Sequence, residues 1–467
     1  MTTSDRQPPA PEAPQPPEAP QAPEVGDAAS RQLAAAAATI PMGGGLREHA
    51  RTYLQRLRGG EIGALPATSG LVVLVIIFWV LHPSFGSLGN FAALLDQSAS
   101  TICLAMGLVF VLLLGEIDLA AGTAAGACAA VMARLSAGYN APWPVAILAA
   151  MVTGLVIGVL TGWLCAKVRI PSFVVTLALF LAFQGLTLIV VNNFQGTQGN
   201  ISIDDSFITG LVNGQLSAWL GWLVVALVVV GYALVKLTGV RARVRAQLPA
   251  EPMTLVGLKV LALAVISVVA VYLLNQDRAL NAGQVQLENV NGHLVQVKVA
   301  ALLGVPWVVP IVLVLFTGWT FLLGKTRYGR HVYAVGGNRE AARRAGIAVD
   351  RIRISVFVIN SFMAAIAGIL LASNVRAVDA NTGGGNTLLL AVGAAVIGGT
   401  SLFGGKGKPL DAIIGGLVVA VIANGMSDLV QGINSSAVQF LITGAVLLLA
   451  AAVDALSRRR AGATGLG

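Results

Sequence analysis

WPVAILAAMVTGLVIGVLTGWL, residues 143–164, contains no charged side chain. As an α-helix rising 1.5 Å per residue, it would cross the roughly 30 Å of hydrocarbon in a bilayer. It has no polar face to turn toward water, so it reads as a helix surrounded by apolar material on every side. Comparable apolar runs lie on either side of it: 66–83, 98–115, 119–136, 171–191, 218–236, 255–274, 301–323, 354–373, 388–403, 410–430 and 436–455. The composition agrees. The 467 residues are 56% apolar and 11% charged, whereas a soluble domain carries about a quarter charged residues. So few charges cannot cover a globule of this size with solvated surface. That excludes a large soluble enzyme and, despite the net charge of +9, a nucleic-acid binder. The sequence predicts an all-α polytopic integral membrane helical bundle, multi-pass in the cell membrane, with about 12 transmembrane helices (10–12). The runs at 119–136 and 388–403 are rich in Ala and Gly and read either as full spans or as broken, re-entrant segments.

The basic residues test the count. With the N-terminus placed in the cytoplasm and the runs alternating, only Arg134, Arg278, Lys298 and Arg376 of the 30 Lys and Arg fall outside. An error of one span would scramble this bias downstream, so the expected topology has both ends inside. The remaining stretches sort around the bundle (65–456). Residues 1–45, Pro-rich between Gln7 and Pro23, have little to bury and read as a disordered cytoplasmic tail. They lack the basic start and apolar stretch of a signal peptide. Residues 46–64, with Arg47, Arg51, Arg56 and Arg58, read as an amphipathic juxtamembrane segment, and 457–467 as a basic cytoplasmic tail. Cys103, Cys128 and Cys165 lie inside apolar runs and read as small packing groups. The four histidines are scattered, so no metal site is expected.

Small residues recur at four-residue spacing: Gly154, Gly158 and Gly162; Ala364, Gly368 and Ala372; Gly122 and Gly126. In lipid there is little hydrophobic drive between helices, and such ridges let backbones approach closely. They read as packing.

The inside loop 324–353 holds a small helix with its ends written in. Gly336 and Gly337 make a turn, Asn338 is an N-cap, and Glu340 followed by Arg343 and Arg344 suits the helix dipole. Gly346 is a natural terminator. A helix this short does not persist alone in water. Ala341, Ala342 and Ala345 offer a low-relief face for a groove. Composition alone leaves a capped topogenic helix and a docking helix open.

The wider pattern resembles the coupling segment of ABC-transporter permeases, in particular the ribose/xylose/arabinose branch of bacterial sugar importers. Gly329-Arg330-His331-Val332-Tyr333-Ala334-Val335-Gly336-Gly337-Asn338 leads into Arg339-Glu340-Ala341-Ala342-Arg343 and closes on Gly346-Ile347. This is similar to the family's Gly-Arg-x-x-Tyr-Ala-x-Gly-Gly-Asn-x-Glu-Ala-Ala-Arg-x-x-Gly-Ile. Gly115-Glu116-Ile117-Asp118-Leu119-Ala120 resembles Gly-Gly-Ile-Asp-Leu-Ser, departing at Glu116 and Ala120. Gly398-Gly399-Thr400-Ser401-Leu402-Phe403-Gly404-Gly405-Lys406-Gly407 resembles Gly-Gly-Thr-Ser-Leu-x-Gly-Gly-x-Gly. The likeness covers roughly residues 70–455. Two extra spans and a polar loop between about 218 and 300 resemble the longer xylose-type permeases. The resemblance implies a permease that pairs with a second copy and moves a monosaccharide by alternating access. It also implies cytoplasmic ABC ATPase subunits as the motor and an extracytoplasmic sugar-binding protein that delivers the sugar. Residues Gly336, Gly337, Asn338, Glu340, Ala341, Ala342, Arg343 and Gly346 would then form the ATPase-coupling segment.

The chain carries no ATP site of its own and no cofactor is expected in it. A Walker A loop needs Gly-x-x-x-x-Gly-Lys-Ser/Thr after a strand. Gly324-Lys325-Thr326 has Trp319 where the first glycine belongs; Gly407-Lys408 has Leu402 there and is followed by Pro409. No carboxylate falls at the centre of a predicted span, which weighs against a gradient-driven carrier. A membrane-embedded transferase is the remaining alternative, with Glu116 and Asp118 its one candidate carboxylate pair. Two readings of that pair stand: a gate, or a helix boundary in which Asp118 caps the next helix and Glu116 is solvated at the interface, the latter preferred. Neutral sugars are held by amides and hydroxyls, so Gln184, Asn192, Asn193, Asn360, Asn374, Asn424 and Asp428 are candidates for a translocation path, against an alternative of plain interhelical hydrogen bonds.

Overall fold

The computed structural model describes residues 65–193, 199–248, 250–278 and 302–429, the strands at 285–290 and 293–298, and some positions between 437 and 452. The two tails, the segment 46–64 and most of the run at 436–455 lie outside the described residues. In chain order the elements are α1 (Leu65–Leu81), α2 (Leu88–Leu113), α3 (Ala121–Ala133), α4 (Trp143–Ala166), α5 (Ser172–Asn192), β1 (Asn200–Ser202), α6 (Ser206–Asn213), α7 (Ala218–Arg245) and α8 (Met253–Leu274). There follow β2 (Val285–Val290), β3 (His293–Lys298), α9 (Val308–Lys325), α10 (Arg327–Gly337), α11 (Arg339–Arg344), α12 (Val349–Val375), β4 (Ala377–Asp379), α13 (Thr387–Gly398) and α14 (Pro409–Leu429).

Among the described residues, eight helices are long and apolar enough to cross a membrane: α2, α4, α5, α7, α8, α9, α12 and α14. The two runs marked as marginal in the sequence are short helices. α3 is 13 residues, continued by a π-helical turn over Arg134–Gly138, and α13 is 12 residues. At 1.5 Å per residue they reach about 20 and 18 Å, less than the hydrocarbon thickness. The 275–300 region, expected as a polar loop, contains an antiparallel hairpin with Val285 opposite Lys298 and Val290 opposite His293.

α2 starts ten residues before the apolar run that announces it. Ser87 caps it, its hydroxyl accepting from the Asn90 amide. That early start takes Asp96 and Gln97 into the helix. From Ile102 to Leu113 every residue of α2 is buried, and α12, α14, α13 and α9 pack around it. The glycine ridge of α4 lies against α12. A methyl at Gly154 would come 2.7 Å from the Ser361 carbonyl oxygen, and one at Gly162 would come 2.8 Å from the Ile354 Cα. Backbones this close gain dispersion contacts that larger residues would forbid. The three cysteines are buried and free, as their apolar settings imply.

α7 and α8 pack mainly on each other and expose apolar side chains along most of their length. Glu251 closes their connection, 3.2 Å from Lys259 Nζ and 3.9 Å from Lys236 Nζ. Partial burial pushes its carboxyl up, but the hydrogen bond from Lys259 and the charges of Lys236, Lys259 and Arg243 outweigh this and hold it below the ordinary range.

Candidate functional site

The three motif stretches, up to 290 residues apart in sequence, meet at one end of the bundle. The centre of the meeting is the C-terminus of α2. The last carbonyls of a helix have no partner within it. Leu113 O, one of these, accepts the Gly405 amide at 2.8 Å. Gly336, in the last turn of α10, lies so close to the same carbonyl that any Cβ there would overlap it. Tyr333, one turn earlier, donates its hydroxyl to Gly407 O at 2.7 Å. Burial, with the Asp411 carboxylate nearby, pushes the Tyr333 phenol up, so it remains a neutral donor. The 399–408 turn is shaped from within. Asp411 Oδ2 accepts from Thr400 Oγ1 at 3.0 Å and from the Lys408 amide at 2.8 Å.

α10 is a full helix that the loop reading of 324–353 missed. Thr326 caps it, accepting from the Gly329 amide, and it buries Gly329, Val332 and Val335. Those positions recur at i, i+3 and i+6, a signal that was present in the sequence. Gly336 and Gly337 therefore belong to a helix and do not form a free turn. Asn338 ends α10 and caps α11, its Oδ1 accepting from the Ala341 amide at 2.9 Å. Gly346 stops α11 with φ of +80°, a conformation that favours glycine. Tyr328 Oη, in the first turn of α10, lies 2.9 Å from Ser355 Oγ of α12; burial pushes this phenol up to about 12, against the opposing pull of the Ser355 hydrogen bond.

The expected low-relief face of α11 divides. Ala342 is buried against the bundle, while Glu340, Ala341, Arg343, Arg344 and Ala345 are exposed. Glu340 Oε1 pairs with Arg343 Nη1 at 2.8 Å on the outer side.

Glu116 corrects the preferred sequence reading of a solvated interface carboxylate. It is 5% exposed. Its Oε1 accepts from Arg339 Nη2 at 2.7 Å and from Arg353 Nε at 2.8 Å, and Arg353 Nη1 reaches on to Cys165 O at 2.9 Å. A buried carboxylate is tolerable only when paired in this way. Nothing in the local sequence announces the pairing, because both arginines lie more than 200 residues away. Asp118 is not the N-cap of α3: that position is Ala120, which has no side-chain cap bond, and Asp118 braces the turn leading into it. Its Oδ1 accepts from the Ala120 amide at 2.9 Å, just ahead of α3. Its Oδ2 accepts from Asn360 Nδ2 at 2.7 Å, in a fully buried pair.

The amides named for a translocation path do not gather in one place. Asn360 stays with Asp118. Gln184 donates to Ala380 O at 2.6 Å, on the segment between β4 and α13. Asn374 Nδ2 lies 3.3 Å from Asp96 O, and Asn424 Nδ2 lies 3.5 Å from Gln97 Oε1, so these two, on α12 and α14, meet α2 at consecutive residues. Asn192 and Asn193 are exposed at the end of α5, and Asp428 has no described side chain.

The family described as branched-chain amino acid transport system / permease component matches residues 90–239 and 200–451. The chain belongs to this family. The Xylose transport system permease protein XylH of Escherichia coli (strain K12) is 33% identical over 390 residues, covering 84% of this chain and 91% of that protein. The protein of the same name from Haemophilus influenzae is 34% identical over 389 residues, 83% of this chain and 95% of its own. The Ribose import permease protein RbsC of E. coli K12 is 28% identical over 384 residues, 82% and 91%. No solved structure matches the chain.

This permease also has polar groups that the sequence reading passed over. Asp96 lies just ahead of the apolar run 98–115. Arg278, at the end of α8, is 9% exposed and donates Nη2 to Gln215 Oε1 at 3.0 Å. Burial pulls its guanidinium down, opposed by the charges of Asp96 and Asp277. The segment between β4 and α13 was missed as well. Gly122 and Gly126 of α3, read as helix–helix packing, lie against the backbone of Gly383 and Thr382. That segment runs into the bundle beside α3 before α13 begins.

Proposed function

We propose that this permease is the membrane subunit of an ATP-binding-cassette importer that carries a monosaccharide, xylose or a related pentose or hexose, by alternating access. The family and the xylose and ribose relatives support the cargo. The observation that carries the coupling is the junction at Leu113, where α10 is seated by Gly336 and Tyr333 while α11 presents Glu340, Ala341, Arg343 and Gly346 outward. A six-residue helix fixed on one side and bare on the other suits the groove of a partner. The partners in this reading are two cytoplasmic ATPase subunits, which use ATP, an extracytoplasmic sugar-binding protein and a second copy of the permease. The chain itself needs no cofactor.

The topology in this reading has both ends in the cytoplasm and about 12 crossings. The basic residues support it. Lys325, Arg327, Arg330, Arg339, Arg343, Arg344, Arg353, Lys406 and Lys408 lie at the junction end, and Arg278 and Arg376 at the other. Asn374 and Asn424 beside Asp96 and Gln97, with Gln184 on the loop 380–386, are the amides best placed for the sugar path. Glu116 and Asp118 hold the break at its inner end.

The test is a double charge reversal, Glu340→Arg with Arg343→Glu. The two side chains can still pair across i,i+3, so the helix loses only a few tenths of a kcal/mol from the pair and about 0.3–1 kcal/mol per charge from the reversed dipole. Insertion and melting temperature are expected to hold while ATP-driven uptake in proteoliposomes is lost. Uptake at the unaltered rate would remove the docking role. Removal of residues 1–45 is expected to leave uptake nearly unchanged; failure of the complex to assemble would give the tail a partner of its own.

A further inference from the structure

The break before α3 ties more elements together than a turn requires. Glu116 holds α11 through Arg339 and α12 through Arg353, which also reaches the end of α4 at Cys165 O. The Ile117 amide donates to Ser172 Oγ at 3.4 Å, and Ile117 O accepts from Thr176 Oγ1 at 3.3 Å, both on α5. Asp118 holds Asn360 of α12 and the Ala120 amide just ahead of α3. One turn further, Gly122 and Gly126 are in backbone contact with Gly383 and Thr382, whose loop is held in turn by Gln184. α3 is thus a short, almost wholly buried rod. One end is pinned to the exposed coupling helix and its flank to the loop that leads into α13.

We propose that Glu116 is a positioning residue that makes α3 a lever, with Arg353 as its fixed bearing and Arg339 as the arm through which α11 moves it. The two arginines differ as this division requires. The Arg353 side chain is 11% exposed and the Arg339 side chain 40%. A close-packed rod transmits displacement because its neighbours cannot be compressed. Displacement of α11 therefore tilts α3 and shifts the loop 380–386 at the far end of the path. This inference rests on the ATP-driven reading above, and it adds the residue and the helix through which the motor acts.

The experiment uses the complete transporter, the permease with its ATPase subunits and binding protein, in proteoliposomes. ATP hydrolysed per sugar delivered is measured for Arg339→Ala, Arg339→Lys, Glu116→Gln and Glu116→Gln with Arg339→Ala. Arg339→Ala leaves the buried Glu116–Arg353 bond in place and is expected to keep its melting temperature, while the ratio rises roughly tenfold, within the 5–150-fold of ordinary coupling free energies. Arg339→Lys restores most of the loss, and the double variant uncouples no more than Glu116→Gln alone. A second readout follows the loop directly. The three native cysteines are buried, so Asn386→Cys, at an exposed position, supplies an accessible thiol. Its labelling rate is expected to differ about fivefold or more between nucleotide-free and ATP-bound complexes, and Arg339→Ala is expected to remove that difference. An unchanged hydrolysis ratio, a persisting labelling difference, or a loss of melting temperature that accounts for the whole defect in Arg339→Ala would each overturn the lever. Absence of ATP-driven uptake by the unaltered complex would instead overturn the importer reading itself.

Discussion

Gly336→Ala is expected to abolish ATP-driven uptake, while Gly337→Ala, one residue away, leaves it close to normal. The two glycines end the same helix, and propensity treats them alike. Their surroundings do not. A methyl at position 337 meets nothing within 4 Å, whereas one at 336 lands on the Leu113 carbonyl oxygen and 3.2 Å from the Gly405 amide nitrogen. That carbonyl closes the central helix and is already committed to Gly405 at 2.8 Å. The alanine must push α10 off α2 or break the Leu113–Gly405 bond, and either change dismantles the junction. Overpacking of this kind costs about 1–3 kcal/mol. The functional loss is expected to be larger than that figure suggests, because α11 follows α10 directly and moves with it. Uptake in proteoliposomes, measured for both variants at equal protein density, checks the pair. Equal activity would mean that α10 does not need this seat.

Arg353→Met is expected to be the most destabilising single side-chain change at the site. The methionine fills much of the space but withdraws the Nε hydrogen bond and the Nη2 ion pair to Glu116, and the hydrogen bond to Cys165 O. Glu116 then remains buried with Arg339 alone, and stranding a buried charge costs about 3–5 kcal/mol. Arg339→Ala, at the more exposed partner, is expected to cost less than about 1 kcal/mol because the buried bond survives. Thermal melting of the purified permease in detergent orders the two. A melting curve for Arg353→Met that overlays the unaltered protein would mean that Glu116 is solvated through some route other than its arginines. The double variant Glu116→Leu with Arg353→Met removes both charges and is expected to recover part of the loss, since an apolar pair of similar volume is often as stable as a buried ion pair.

Much of the architecture could be read one residue at a time. A bilayer demands long uncharged helices, so the runs at 143–164, 171–191, 255–274 and 354–373 announced α4, α5, α8 and α12 within a few residues. Caps are equally local. Asn338 and Gly346 each do in the structure what their identities imply, because helix ends are settled by residues within a turn of one another. The sequence says less where polar residues interrupt an apolar run or where a helix sits in a charged stretch. α2 begins at Leu88 with a serine cap, and Asp96 and Gln97 interrupt its apolar run. α10 hid in a charged loop because its buried stripe is only Gly329, Val332 and Val335.

The site was half legible. Its three motif stretches stand out in the chain as unusual clusters of glycine and charge, and the likeness to sugar permeases groups them. Their meeting at Leu113 is not written in any of them. Gly122 and Gly126 look like a helix–helix ridge in the sequence, and only the fold shows a loop backbone against them. The amides from Gln184 to Asn424 look equivalent in the sequence because each is a lone polar group in an apolar run. The fold separates them into a clamp on Asp118, a hold on the 380–386 loop and a pair beside Asp96.

Sequence alone marked a bundle of membrane-length helices, a short helix with signals at both of its ends, and glycine–lysine pairs that lack the Walker spacing. Hydropathy, capping and the Walker spacing all depend on residues near one another in the chain. Only the tertiary structure decided that Glu116 is a buried knot between Arg339 and Arg353. A carboxylate's state is set by the dielectric and the charges around it in space, and here those charges come from more than 200 residues away.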